Sequence, residues 1–348
     1  KFIMAYTTIK KPSDYFNTVT YTGNGNAGHS ITGVGFQPDW TWVKNRSDTY
    51  GHNLVNSVTN TLMFSNANAP EEAIGNTVTS FDSDGFTVGT NAGVNANGQN
   101  LVSWNWLGSN TTAANTDGSI NSTVSANTTS GFSIVSYTGN GGSTPKTVGH
   151  GLGVAPKMII IKPRNLTYDW MTYNENVGAT KGMCLNTTQA PFTSSNFNDT
   201  APTTSVFSVK NNATNETNGT YIAYCFAEKQ GYSKFGSYAG NQNNDGTFVY
   251  LGFKPAFVMV KRYSAGNPTA TNWVILDNKR DTENTVDKWL YANASDAEYT
   301  ASSGETDFVS NGFKIRGTGS YYNDSGHNYI YMAFAEQPLV GDNPATAR

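Results

Sequence analysis

Charge is scarce in this chain. Lys, Arg, Asp and Glu make up 14% of its 348 residues, and the formal net charge is −3. A nucleic-acid binder needs a basic surface to neutralise phosphates, and these totals hold none. The acidic excess is also too small to steer a basic partner. Only two cysteines occur, Cys184 and Cys225, too few for a disulfide framework. They read either as one bridge or, preferred, as two buried free thiols of a protein folded in a reducing cytoplasm. No run of about 18 apolar residues is present, so no helix is expected to span a membrane. The start, Lys1-Phe2-Ile3-Met4-Ala5-Tyr6, lacks a signal-peptide pattern, and Met4 is a candidate initiator.

Leu and charged helix formers are sparse as well, whereas 19 Tyr, 18 Phe and 7 Trp bring the aromatics to 13%. Thr, Asn, Ser and Gly lie between them. Aromatic and β-branched residues suit a pleated, half-buried surface, and Gly and Asn suit turns. The composition predicts β-sheet with many loops.

Internal repetition organises the chain. Tyr21-Thr22-Gly23-Asn24-Gly25 recurs as Tyr137-Thr138-Gly139-Asn140-Gly141 and, more weakly, as Tyr238-Ala239-Gly240-Asn241. Further on, Gly35-Phe36-Gln37-Pro38-Asp39-Trp40-Thr41-Trp42-Val43-Lys44 corresponds to the stretches Gly153 to Lys162 and Gly252 to Lys261. In all three, a Lys follows Pro by six positions across an apolar run. A third marker, Leu101 to Trp106, matches Ile222 to Phe226 and Ile330 to Phe334; the last two continue as Ala-Glu. Phe81-Asp82-Ser83-Asp84-Gly85-Phe86 matches Phe308-Val309-Ser310-Asn311-Gly312-Phe313, and Val206 to Val209 is what remains of it in the middle copy.

The expectation is therefore an all-β protein of three tandem antiparallel β-sandwich, jelly-roll-like domains, each about 100 residues and each burying its own aromatics. The boundaries are an N-terminal arm (1–15), repeat 1 (16–108), a Ser/Thr/Asn-rich linker (109–131), repeat 2 (132–229), repeat 3 (233–336) and a C-terminal tail (337–348). Within the linker, Thr123 to Ala126 is a candidate edge strand. Ile159-Ile160-Ile161 reads as a central strand covered on both faces. Asp84-Gly85 and Asn311-Gly312 read as hairpin turns, and each marker Pro as a strand start. Pro70 to Ile74 is a candidate helical turn, and Thr285 to Leu290 is ambiguous.

The search for chemistry returns little. His29, His52, His150 and His327 show no zinc-ligand spacing. Asp82-Ser83-Asp84-Gly85 lacks the further ligands of a calcium loop and reads as a turn. Gly23 to Gly35 has no Lys-Ser/Thr after it, which argues against a phosphate cradle. No nucleophile elbow occurs, nor a Ser/His/Asp set repeated across the units. For glycan cleavage by paired acids, Glu71, Glu72, Asp82 and Asp84 are available but read better as solvated loop acids. Catalytic, metal and cofactor residues are thus expected to be none. The candidate surface-contact residues are Trp40, Trp42, Lys44, Lys162 and Lys261. The lysines are equivalent binding points or, preferred, strand-edge caps. For the tryptophans core packing is the preferred reading, with both in the core only if their strand is covered on both faces; an exposed one would stack on sugars or fill a subunit interface.

Met4-Ala5-Tyr6-Thr7-Thr8-Ile9, the Tyr-Thr-Gly-Asn-Gly copies, Gly35 to Lys44 and Gly149 to Ile160 together resemble repeat-containing virion structural proteins of marine tailed bacteriophages, often tail-fibre-like. The resemblance spans essentially the whole chain, with the third copy most divergent. It implies an exposed, non-catalytic virion component made in the host cytoplasm. Its expected role is as a fibre or appendage that contacts other virion proteins and a host-surface glycan or protein receptor. No nucleic acid or membrane insertion is expected, and homo-oligomerisation, for example as a trimer, is. The alternatives are a capsid decoration or vertex protein and a glycan depolymerase.

Overall fold

The computed structural model describes residues 6–141, 144–264, 271–302, 304–341 and 344–346. Met4 and the first residues of the arm lie outside them. The chain is nearly all-β, built from several antiparallel sheets. Among the described residues helix is limited to one 3-10 turn and three four-residue segments, Ala92–Asn95, Asn212–Asn215 and Ser320–Asn323. No helix among them is long and apolar enough to cross a membrane.

Each repeat contributes one large and one small sheet. In repeat 1 the large sheet orders its strands as Phe16–Thr22, Asn100–Trp106, Trp40–Asn45, Asn53–Asn56, Thr61–Phe64 and Glu72–Ala73. Repeat 3 has the same order: Ser233–Ala239, Asn328–Pro338, Phe253–Arg262, Val274–Asp277, Lys288–Tyr291 and Tyr299–Thr300. Repeat 2 keeps it and adds Ala113–Asn115 and Ser122–Asn127 at one edge. The second and third markers thus pair at the centre of each sheet: Trp40 faces Trp106, Met158 faces Phe226 and Phe257 faces Phe334.

Strand alternation sends the two faces of each large sheet to different places. Ile159 and Ile161 point outward, to a cluster beneath the small sheet of their own repeat, while Ile160 points inward. The inward residues of all three repeats meet in one core, and rings touch across every boundary. Trp40 stacks on Tyr224 at 4.1 Å, Trp106 meets Phe334 at 5.7 Å, and Phe226 meets Phe334 at 6.1 Å. The expectation that each unit buries its aromatics separately is thereby corrected. A unit of this size with one small sheet can cover only one face of its large sheet. The other face, rich in Trp, Phe and Met, would be an apolar patch too large to leave in water. The repeats cover it for one another.

Other expectations are modified locally. Segment 109–131 is not a free linker: two of its stretches are strands of the middle sheet, with Ser122 and Ser125 buried. The strand anticipated at Thr123 to Ala126 forms and is longer, Ser122–Asn127, but it is not an edge, because Ala113–Asn115 pairs outside it. Glu72–Ala73 and Lys288–Tyr291 are strands rather than helix. Both hairpins form at Asp84-Gly85 and Asn311-Gly312. Pro38 and Pro156 precede their strands, whereas Pro255 lies inside one at a register shift, where a missing N–H is tolerated.

The Tyr-x-Gly-Asn marker has a structural cause common to all copies. The Tyr21, Tyr137 and Tyr238 hydroxyls donate to the carbonyls of Val94, Thr214 and Tyr322 in the short helices. The marker's Asn24, Asn140 and Asn241 amides donate to the side chains of Asn95, Asn215 and Asn323. A Cβ on the intervening Gly23 would lie 2.2 Å from the Ala96 carbonyl oxygen, so no other residue fits.

Candidate functional site

The residues singled out from sequence are buried, and the structure gives each a place. Trp40 and Trp42 both enter the central core. Two residues apart on a strand, they share one face, so burying both requires only that face to be covered. They are not surface contacts.

Lys44, Lys162 and Lys261 are fully buried on central strands, so they are neither edge caps nor exposed binding points. They occupy the boundaries between repeats. Lys162 Nζ donates to the carbonyls of Asn68 (3.1 Å) in repeat 1 and Pro163 (2.9 Å). Lys261 Nζ donates to Thr188 of repeat 2 at 2.9 Å and to Thr271. Lys44 Nζ donates to Asn45 (2.6 Å) and Asp48 (3.1 Å), and feels Asp296 and Glu298 of repeat 3. Burial pushes Lys44 and Lys162 down to about 8 and Lys261 to about 7.

The same boundaries carry a cyclic set of further bonds. Trp170 Nε1 donates to Phe64 O of repeat 1 at 2.9 Å, and Trp273 Nε1 to Cys184 O of repeat 2 at 3.0 Å. His52 stands at the equivalent place in repeat 1, with the Tyr291 and Ala294 carbonyls of repeat 3 beside it. Its Nδ1 accepts from Trp42 Nε1 at 2.8 Å, and burial holds it well below the usual imidazole range. Arg164 pairs with Glu71 and Arg46 with Glu298, each at 2.7 Å. The repeats therefore join head to tail and close a ring of three within one chain.

The acids weighed for glycan cleavage have structural duties. Glu71 belongs to the pair just described, Asp82 accepts from Ser80 and Thr87, and Asp84 accepts from the Gly33 and Gly35 amides. Glu72 is exposed on an edge strand. Cys184 and Cys225 are buried free thiols, both pushed upward by burial.

One Ser–His–Asp grouping does assemble in repeat 3. Ser264 Oγ lies 3.0 Å from His327 Nδ1, and His327 Nε2 lies 3.7 Å from Asp324. However, the Arg262 guanidinium sits within 2.8 Å of both imidazole nitrogens. These guanidinium contacts occupy the ring nitrogens that a general base would turn to the serine hydroxyl. Ser264 also accepts from the Asn328 amide at 2.9 Å, as Ser47 does from Asn100 at 3.0 Å in repeat 1, where no histidine is involved. The grouping is a strand-end cap.

Exposed aromatics, by contrast, are concentrated in repeat 3. Tyr299 and Tyr321 are 38% and 36% exposed, and Phe248 and Tyr250 are 44% and 50% exposed. Tyr299 and Tyr321 belong to a cluster with Trp289 and Tyr291. Trp289 and Tyr291 alternate on one strand with Leu290, which turns inward to the core. Tyr299 is the cross-strand partner of Trp289, and Tyr321 lies on the short helix Ser320–Asn323. Ring centroids are 5.6 Å apart for Tyr291–Tyr299, 5.9 Å for Tyr291–Tyr321 and 6.2 Å for Trp289–Tyr321. The Tyr291 and Tyr299 hydroxyls bond to each other. Burial, then this hydroxyl pairing, then Tyr321 and Asp296 push the Tyr299 phenol upward. The phenols stay neutral, able to donate and accept.

Internal symmetry supplies the control. At the positions of Trp289, Tyr291, Tyr299 and Tyr321, repeat 1 has Leu62, Phe64, Glu72 and Gly93. Repeat 2 has Gly182, Cys184, Phe192 and Ala213. Phe248 and Tyr250 replace Ser30 and Thr32 of repeat 1, and Thr147 and Gly149 of repeat 2. Neither of the other repeats has a tyrosine or tryptophan at any of these positions; the rings they keep there are Phe64 and Phe192. The half-open faces of the repeat 3 rings, fixed by packing, can stack on a sugar ring or anchor a protein partner, with the hydroxyls and the Asp296 carboxylate adjoining. In sequence, the aromatics of repeat 3 do not stand out from core aromatics; only the superposed repeats separate them.

No curated protein and no solved structure matches the chain. The profile of the family described as Domain of unknown function (DUF7483) matches residues 11–338, nearly the whole of what forms the three-repeat body, and the chain belongs to that family.

Proposed function

We propose that the protein is a structural, adhesive component of a virus particle surface, a fibre or appendage module without catalysis. It would contact a host-surface glycan or protein through repeat 3. In this reading each unit is a sandwich-type module fused to the other two through its inner face. The resemblance of the repeat markers to marine phage virion proteins supports the location. The observation that carries the adhesive role is the exposed Tyr299/Tyr321 cluster, present in one repeat and absent from two otherwise equivalent ones. Tyrosine presents a large contact area at small entropic cost, which suits weak contacts that add through multivalency.

The test is binding of fluorescent protein to host cells and to isolated surface polysaccharide. Tyr299→Ala/Tyr321→Ala should lose most binding while its melting temperature stays close to that of the parent. Equal binding by the variant and the parent would remove the assignment. A decoration or vertex role on the capsid is the second reading, favoured by the closed ring of three, which can seat one chain on a threefold site. Imaging the protein on the particle separates the two.

A further inference from the structure

The outermost strand of the small sheet is covered in one repeat and open in the other two. His29–Thr32, Lys146–Gly149 and Phe248–Tyr250 are the equivalent strands, each paired on one side with the next strand of its small sheet. In repeat 3 the Ile315 amide donates to the Thr247 carbonyl, and the Leu251 amide donates to that of Asn311. Bonded and non-bonded pairs alternate in an antiparallel ladder. Val249 therefore bonds within the sheet, and the main-chain groups of Phe248 and Tyr250 face the open side. Among the described residues these groups meet one partner, Lys234 Nζ, which donates to the Tyr250 carbonyl at 3.1 Å.

Repeat 2 shows what such an edge takes. Segment 117–122 runs along Lys146–Gly149, with Ile120 bridged in parallel to Val148. Thr147, the counterpart of Phe248, donates its amide to Ser119 Oγ at 2.9 Å and accepts the Ile120 amide at 2.9 Å. The Ser122 hydroxyl donates to the Gly149 carbonyl at 2.8 Å. Ile120, 6% exposed, completes the outer core of that repeat. A Cβ on Gly118 would collide with the Thr147 carbonyl oxygen, so the approach requires glycine. The chain has residues 107–131 between its first and second repeats to supply this strand, but only 227–232 between the second and third.

An open edge that carries large apolar side chains invites pairing with another chain. Repeat 1 has Ser30 and Thr32 at its open edge, whereas repeat 3 has Phe248 and Tyr250, 44% and 50% exposed. We infer that strand Phe248–Tyr250 is the docking site for an extended peptide segment of a partner protein, added in parallel as segment 117–122 is added in repeat 2. The Phe248 amide and carbonyl hold the incoming main chain, a glycine permits its approach, and a β-branched residue takes the place of Ile120. The two rings give alternate side chains of the added strand an apolar contact. This edge adjoins strand Ser233–Ala239, across the large sheet from Tyr299, and the inference does not rest on the tyrosine cluster.

The probe is the chain's own covering sequence, a synthetic peptide of residues 116–123, titrated into the full chain. It should bind, and hydrogen exchange should slow at residues 247–251 while staying unchanged at 146–149, where the edge is already covered. An Ile120→Pro peptide, which lacks the donated amide, should bind about tenfold more weakly or worse. Phe248→Pro removes an amide that the ladder does not use, a position where proline is tolerated. It should melt with the parent and lose the peptide by a similar factor. Phe248→Thr, the residue of repeat 2, keeps the main-chain groups and should lose less. Tyr299→Ala/Tyr321→Ala should bind the peptide as the parent does, so failure of the adhesive reading and failure of this one are distinguishable. The proposal is overturned if the peptide does not bind at millimolar concentration, if residues 29–32 are protected equally, or if Phe248→Thr loses as much as Phe248→Pro. It is overturned as well if the Phe248 and Tyr250 amides are already protected in the free chain, or if the chain self-associates and Phe248→Pro abolishes this, which would give the edge to the chain itself or to a second copy.

Discussion

Repeats 1 and 3 have the same strand order but distribute their aromatics differently between the inner and outer faces. Repeat 1 sends Trp40, Trp42, Trp104 and Trp106 inward, all of them into the shared core. Repeat 3 places the smaller Phe257, Met259, Met332 and Phe334 at those positions and carries its additional rings outside, at Phe248, Tyr250, Tyr299 and Tyr321. One scaffold thus serves two tasks. The first copy fills the axis, and the third offers a surface. Aromatic content alone does not distinguish them, because both uses draw on the same residue types.

The boundaries differ in a similar way. Chain connections cross from repeat 1 to 2 and from 2 to 3, but none crosses from 3 back to 1. That open boundary holds the most buried ion network. Asp277 accepts from Trp104 Nε1 at 3.0 Å and from Arg280 at 2.6 Å, and Arg280 reaches Glu298, which also holds Arg46. At the 1/2 boundary the comparable pair, Arg164 and Glu71, is partly open to solvent. The arm helps close the ring: Ile9 is in the core, and Tyr6 donates to the Gly252 carbonyl at 2.8 Å.

The comparison of boundaries can be broken most directly at the axis. Phe334→Ala should cost about 3–5 kcal/mol, and calorimetry should show all three repeats melting in one shifted transition. A surviving transition for repeats 1 and 2 would contradict the shared core. Asp277→Ala removes one of the two carboxylates that hold the buried Arg280, together with the acceptor of Trp104 Nε1, and should cost about 3 kcal/mol by denaturant unfolding. Glu71→Ala at the partly solvated 1/2 pair should cost about 1 kcal/mol or less; equal costs would deny the open boundary its special dependence on buried charge.

A smaller effect concerns pH. The three buried lysines have folded values of about 7 to 8, below their ordinary value of 10.5. Between these limits the unfolded chain binds more protons than the folded one, so stability should rise with pH from about 7 to about 10. Lys162→Met and Lys261→Met should flatten that rise in thermal melts recorded across the window. The smallest stability effect belongs to Tyr299→Ala/Tyr321→Ala. Outside the core, it should shift unfolding by about 1 kcal/mol or less while removing most binding. A loss of several kcal/mol would make the cluster part of the scaffold and return repeat 3 to the status of repeat 1.

Much of the architecture is legible along the chain. The spacing of Pro38, Pro156 and Pro255 before their apolar runs locates the central strands, and Asp84-Gly85 and Asn311-Gly312 locate hairpins. Ile159-Ile160-Ile161 announces a strand covered on both faces. What covers the second face is not legible, because an inward Trp reads the same whether its neighbour belongs to its own repeat or to another. For that reason a surface reading of Trp40 and Trp42 stays open beside the core one, and Lys44, Lys162 and Lys261 resemble strand-edge caps. The recurring Asn95, Asn215 and Asn323, each preceding a Gly by three or four positions, are a further marker that a closer reading of the repeats can find.

Local chemistry, repeated three times, is therefore written in the sequence: strand, turn, Gly against a carbonyl, Tyr onto a short helix. These depend on neighbours a few residues or one hairpin away. Whether the copies stand apart or share one interior, and which boundary is left to ions, depends on contacts more than a hundred residues distant. The same holds for which aromatic ring meets water and which sheet edge is left open. Those outcomes follow from the simultaneous covering of three inner faces, which no single copy can satisfy, and only the assembled fold decides them.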